Sequence, residues 1–291
     1  MAHCAMTPRA RNSTVLAAVC LASLSDPVQS AAAPVVTLQP HRAVYDLSLS
    51  RTAAGSSVTA VTGRIVYELV GSPCEGYAQN MRFVTEIANT QGQSEVSDLR
   101  TSSWEDVPAR RLRFNSVTYS GERVVEQTQG TATRGKRSSD PISINLDRPS
   151  KKTVSFTRPV YFPIEHSMSV IEHAKSGHNL FVAEIYDGAE GGEKSYLTAA
   201  AIGPVSRSGT LRHLARLANG DDLAAIASWP VSIAYFEAAK STADEVPLYE
   251  MSFRFHENGV TSSLTIDNGD YAMKGELVEF KPLPASPCRT R

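Results

Sequence analysis

The segment "LYEMSFRFHENGVTSSLTIDNGDYAMKGELVEF", residues 248–280, alternates apolar and polar residues with a period of two. Tyr249, Met251, Phe253 and Phe255 fall on one side, and Glu250, Ser252, Arg254 and His256 on the other. A helix cannot use that pattern, whereas an antiparallel strand with one buried and one wet face requires it. Asn258-Gly259 is a two-residue hairpin signal because both residues tolerate positive φ, and Asn268-Gly269 suggests a second turn. The same alternation places Tyr45, Leu47 and Leu49 on one face of "YDLSL". It does so again for Ile65, Tyr67 and Leu69, and for Met81, Phe83 and Ile87. A sheet built from so many such strands must curl or close to hide its edges. The expected fold is therefore mainly β: one long antiparallel sheet curled into an open barrel.

The two ends of the chain define the compartment. Arg9 and Arg11, the apolar run "VLAAVCLASL" and the small residues Ala31 and Ala33 follow in the order of a secretory signal. Residues 1–33 are read as a cleaved signal peptide and 34–291 as a single exported domain. Val19 is too bulky before Cys20 for lipoprotein processing. Removal of the signal takes Cys4 and Cys20 with it and leaves only Cys74 and Cys288. Two cysteines in an exported chain predict a disulfide between them.

Apolar residues make up 42% of the chain and charged ones 20%, ordinary for a globular protein. The formal net charge of −1 gives no support to nucleic-acid binding. No segment after the signal is apolar enough to span a bilayer.

Two stretches break the β pattern. "FPIEHSMSVIEHAKSGH" predicts a helix near residues 163–176, with Pro163 in its first turn and Gly177 at its stop. Ile164, Met168 and Ile171 form an apolar stripe able to cover an opening in the sheet. His166 and His173 lie two turns apart, roughly 10 Å along the axis, too far to share one metal ion. They are read, with Glu165 and Glu172, as a polar stripe facing solvent. "SGTLRHLARLANGDDLAAIASWP" contains a short helix or loop around Asn219 and Gly220.

Catalytic signatures are missing: there is no Gly-x-Ser-x-Gly elbow, phosphate-binding Gly loop, Cys-x-x-Cys or His-Glu-x-x-His. Asp187, Glu190 and Glu193 sit in a Gly-rich stretch without EF-hand order, and read as a solvated hairpin. Arg111 and Arg113 alternate with Leu112 and Phe114 and belong to a wet strand face. Trp104 and Trp229 are candidates to line a cavity, or else core and rim packing. No catalytic residue, metal ligand or cofactor is assigned.

Seven segments in order, "HRAVYDLSL", "GRIVYELVGSPCEGYAQNMRF", "SSWED", "YFPIEHSMSVIEHAKSG", "YDGAEGG", "SWPVSIAYFE" and "PLYEMSFRFHENGVTSSLTIDNGDYAMKGEL", resemble the EipB family of periplasmic envelope-integrity proteins. The resemblance covers essentially all of residues 34–291. It implies a β-spiral and one disulfide, which falls here on Cys74 and Cys288. It also implies a non-enzymatic role in maintaining the Gram-negative envelope, through a periplasmic protein partner of tetratricopeptide type or a lipidic ligand. The family's fold is similar to that of periplasmic lipoprotein carriers, which makes carriage of an acyl chain or lipopeptide the alternative. In that case Ile164, Met168, Ile171, Phe253 and Phe255, with Trp104 and Trp229, are the expected cavity and lid residues.

Overall fold

The computed structural model describes residues 36–207, 214–238 and 246–288. The signal-peptide segment lies outside them, as do residues 208–213 of the ambiguous helical stretch.

Among the described residues fourteen strands form one sheet. In chain order they are β1 (His41–Thr52), β2 (Val58–Ser72), β3 (Gly76–Asn89), β4 (Ser94–Glu105), β5 (Arg111–Ser120), β6 (Arg123–Arg134) and β7 (Ile142–Arg148). They continue as β8 (Lys152–Phe156), β9 (Leu180–Ile185), β10 (Tyr196–Ile202), β11 (Ser228–Glu237), β12 (Tyr249–His256), β13 (Thr261–Asp267) and β14 (Tyr271–Pro282). Helix α1 (Pro163–Lys175) joins β8 to β9, and the short α2 (Gly220–Ala224) follows a single 3-10 turn, Leu214–Arg216. Among the described residues no helix is long and apolar enough to cross a membrane.

All neighbouring strands pair antiparallel, in the order β8 to β1, then β14 back to β9. The first and last strands therefore meet in the middle: β1 pairs with β2 at Val44↔Val66 and with β14 at Leu47↔Gly275. The sheet edges are β8 and β9, which are consecutive in sequence but do not pair. Instead the chain between them runs beside β9, with a parallel bridge from Tyr161 to Ile185. The sheet is curled and not closed.

The alternation appears as expected on the outer faces. Glu250 and Ser252 are exposed, as are Arg111 and Arg113, while Leu112 and Phe114 are buried. His256 departs from the pattern: it is fully buried near the hairpin end and bonded to Ser262 Oγ at 2.8 Å. The Asn258-Gly259 turn also differs from the expected form. Only Gly259 takes positive φ (84°), and His256 N–H reaches Val260 O at 2.9 Å. Three residues thus make the loop, with glycine alone supplying the left-handed position. At the second turn Gly269 does the same, with φ 83°.

Three apolar clusters fill the interior. One joins α1 to β9–β11 and to Leu38, Leu69 and Tyr77. A second packs Leu214 and Leu223 against β1, β2 and β14. A third sets Val160, Phe162 and Tyr186 on the inner side of β5–β7. That third cluster joins the two ends of the sheet by packing where no ladder hydrogen bonds do.

Cys74, in the β2–β3 turn, is bonded to Cys288 in the tail after β14, with a Cα–Cα distance of 5.6 Å. The tail is also tied by Leu283 N–H to Pro40 O at 2.8 Å and Ser286 N–H to Gly71 O at 3.0 Å. The bond therefore reinforces strands that already adjoin. In protein purified without reductant, alkylation under denaturing conditions should leave both thiols unmodified; full labelling of both would contradict the linkage. The Cys74→Ser variant should keep its β-sheet circular dichroism but melt at lower temperature. Chain entropy for a loop of 214 residues sets the loss at no more than about 5 kcal/mol.

Candidate functional site

Helix α1 is fixed at its first turn by side chains from strands remote in sequence. Pro163 has no N–H to satisfy. The next two N–H groups, of Ile164 and Glu165, donate to the two carboxylate oxygens of Glu105 at 2.8 and 2.9 Å. Glu165 in turn accepts from Phe162 N–H at 3.2 Å and pairs with Arg134 of β6 at 3.0 Å. Arg134 also donates to Val160 O and lies 4.7 Å above the Phe162 ring. Burial pushes the Glu105 carboxyl up to about 8, against the pull of the two amides. Burial likewise raises Glu165, with Arg134 opposing. At the other end Lys175 pairs with Glu257 of the β12–β13 turn at 2.5 Å.

So anchored, α1 buries Ile164, Val170, Ile171 and Ala174, while Met168 is half-buried at the edge of the same cluster. The expected solvent-facing stripe of His166 and His173 is not what forms. His166 is buried: its Nε2 lies 3.0 Å from Thr198 Oγ1, and its ring packs near Phe181 and Tyr161. Val170 and His166 share the inward side with Ile164, so the buried face is wider than a stripe at three- and four-residue spacing suggests. His173 is half-buried, bonded to Ser169 O at 2.8 Å and packed 4.4 Å from the Phe181 ring. Among the described residues no three metal-ligating side chains converge.

Between α1 and the inner face of the sheet lies a cavity of about 370 Å³. From the helix it is lined by Pro163, Ile164, His166, Ser167 and Val170. From β1–β3 come His41, Tyr45, Ile65, Tyr67 and Met81, and from β11 and β12 Ile233, Tyr235, Tyr249, Met251, Phe253 and Phe255. Several of these, including Tyr67, Met81, Tyr235, Met251 and Phe253, are only half-buried although they face inward. They pack at the margins of the first two clusters and stay incompletely covered, because the curled sheet is wider than its helix can fill. Spare apolar surface lies inside the fold, whereas on the outside exposed large apolar residues such as Val96, Val124 and Val278 lie on separate strands, with Leu180 and Val182 together on the edge strand β9.

The expected cavity residues divide. Ile164, Phe253 and Phe255 line the cavity. Met168 and Ile171 pack in the cluster beside it, and Trp229 is buried in the same cluster. Trp104 is elsewhere. Its neighbour Glu105 faces α1, so alternation turns Trp104 outward, where its Nε1 donates to Glu75 O at 3.3 Å and Arg113 stacks at 5.4 Å. Cys74 and Cys288 are likewise outside the cavity lining.

Asp187 also lines the cavity, which corrects its reading as part of a solvated hairpin. The chain leaving β9 keeps its alternation: Ile185 and Asp187 face the cavity while Tyr186 enters the third cluster. Burial raises the Asp187 carboxyl above its usual range, and the Ala189 N–H at 2.9 Å opposes this. His41 is bonded through Nδ1 to Gln39 O at 2.7 Å, and burial lowers its pKa. That acceptor fixes the proton on Nδ1 and leaves Nε2 as an acceptor. The site is an apolar chamber with a few polar groups, the form of a small-molecule pocket.

A sequence profile described as EipB-like matches residues 32–284. The cell envelope integrity protein EipB of Brucella abortus (strain 2308) is 32% identical over 256 residues, covering 86% of each chain. A crystal structure of a beta-barrel-like protein of a domain of unknown function, also from Brucella abortus, aligns with a TM-score of 0.76 at 30% identity. That alignment covers 86% of this chain and 100% of the other.

Burial holds His166 neutral by lowering its pKa to about 4 from 6.5. Between those values the unfolded chain binds the proton and the folded protein does not, so stability is lost as pH falls from 6.5 towards 4. The loss amounts to about 3 kcal/mol at most. Glu105, raised rather than lowered, works in the opposite sense, and comparison with a variant cancels it. His166→Gln can keep the Thr198 bond without titrating. Its unfolding midpoint should fall less than that of the wild type between pH 7 and pH 4.5; equal falls would show that His166 is not buried.

Proposed function

Because the chain belongs to the EipB-like family, we propose that it is a periplasmic, non-catalytic protein that maintains the cell envelope by holding the apolar chain of a lipidic ligand inside its curled sheet. The observation that carries this reading is the unfilled inner face. Apolar side chains from both halves of the sheet converge on one chamber, and α1 covers it. A scaffold would keep its spare apolar surface outside, in one patch. Among the described residues of the lining, Ser167 donates to Pro163 O, His41 to Gln39 O, and His166 is bonded to Thr198, so serine and histidine are not paired there, which supports holding rather than turnover. The name of the Brucella relative, a cell envelope integrity protein, supports the envelope role.

A protein partner is the second reading, favoured by one observation. The edge strand β9 exposes Leu180 and Val182 by more than half, 55% and 53%. A periplasmic partner, of tetratricopeptide type or another, could dock there while the cavity holds lipid.

Ser167 lines the cavity and is half-buried on α1. Ser167→Trp should fill the chamber from the helix side without disturbing the Glu105 anchor. Lipids retained on protein gently purified from its native periplasm, identified by mass spectrometry, should be present in the wild type and absent from this variant, with hydrogen exchange of residues 163–176 little changed. A wild type free of acyl lipid, or a variant that retains it equally, would overturn the acyl reading.

A further inference from the structure

We propose that the chamber selects a single-chain amphiphile with a protonated amine at its head, held by the Asp187 carboxylate beside the stacked rings of Tyr235 and Tyr249. The inference rests on the acyl reading above and adds the chemistry of the head group. Tyr235 and Tyr249 stack with centroids 4.4 Å apart and planes 14° apart, and both line the cavity with Asp187. They belong to paired strands, so the ladder fixes their geometry. The carboxylate is near enough to Tyr235 that its charge, after burial, helps raise that phenol.

What is missing around Asp187 is a cation. Among the described residues it makes no ion pair with any Lys or Arg. The charge closest to it in effect is the like charge of Glu190, which raises its pKa further, and Glu190 itself is paired with Lys194. A carboxylate in an apolar chamber is costly unless a positive partner arrives. A carboxylate beside aromatic rings is the pattern that receives an ammonium group, through a charge-assisted hydrogen bond and the ring faces. An anionic head would meet repulsion here.

The Asp187 side chain also accepts from Ala189 N–H, a local turn bond that asparagine makes equally well. Asp187→Asn therefore removes the charge and keeps the turn. Decylamine, decanol and decanoate share one chain and differ only in the head. Each is titrated below its micellar concentration into delipidated protein, wild type and Asp187→Asn, by calorimetry at pH 7. The amine should bind the wild type about tenfold tighter than either other ligand, the discrimination expected of one charged hydrogen bond. That preference should vanish in the variant. Equal binding of all three, a preference for decanoate, or an amine preference that survives in Asp187→Asn would overturn the head-group proposal while leaving the acyl reading intact. Failure of all three to bind would overturn both.

Discussion

An antiparallel sheet of fourteen strands has one face and two edges that must be hidden, and the rest of this structure is the solution to that constraint. Curling hides much of the inner face. It does not bring β8 and β9 into register, so the seam is closed by packing: Val160, Phe162 and Tyr186 bury themselves against β5–β7. The helix between these strands enters the remaining opening. A closed barrel would have had no place for a helix, and a flat sheet no chamber for it to cover.

The helix needs more than apolar contact to stay in register with the sheet. Its first N–H groups point towards the interior, and left unsatisfied when buried they would cost about 1–3 kcal/mol each. Glu105 takes two of them, and Arg134 balances the Glu165 carboxylate of the same turn. The acceptor oxygens of Glu105 and the Arg134-paired carboxylate of Glu165 lie beside the positive end of the helix dipole, a favourable arrangement. The anchor gives α1 a fixed end, and the chamber wall is as rigid as the strands β4 and β6 that hold it.

Much of this could be read from the chain, because strand alternation and turn chemistry are local. Phe253 and Phe255 were legible as inward residues because Glu250 and Ser252 set the phase. Cys74 and Cys288 were legible by count. What escaped depends on residues brought together from afar. Nothing around Glu105 in "SSWED" signals a helix terminus sixty residues on, and for Trp104 the sequence leaves cavity lining and core or rim packing open, because a large aromatic suits either. His166 reads as part of a solvent-facing polar stripe because Glu165 and Glu172 repeat its phase; its burial depends on Thr198, Phe181 and Tyr161, none of them in the helix. Asp187 was hidden by its glycines, which imply a solvated turn and say nothing of the face its side chain takes.

The meeting of β1 and β14 in mid-sheet also imposes a timetable. Each hairpin from β1 to β8 can form as the chain emerges, since its partner is the strand just made. The same holds from β9 to β14. The strand pairing that joins these two ribbons is made by the last strand alone. Until β14 arrives, β1 is an open edge with its inward residues uncovered, and the chamber has only one of its walls. The vulnerable interval in the life of this protein is therefore the time between the folding of its first strand and its last, when the half-built ribbon offers strangers the pairing it keeps for its own end.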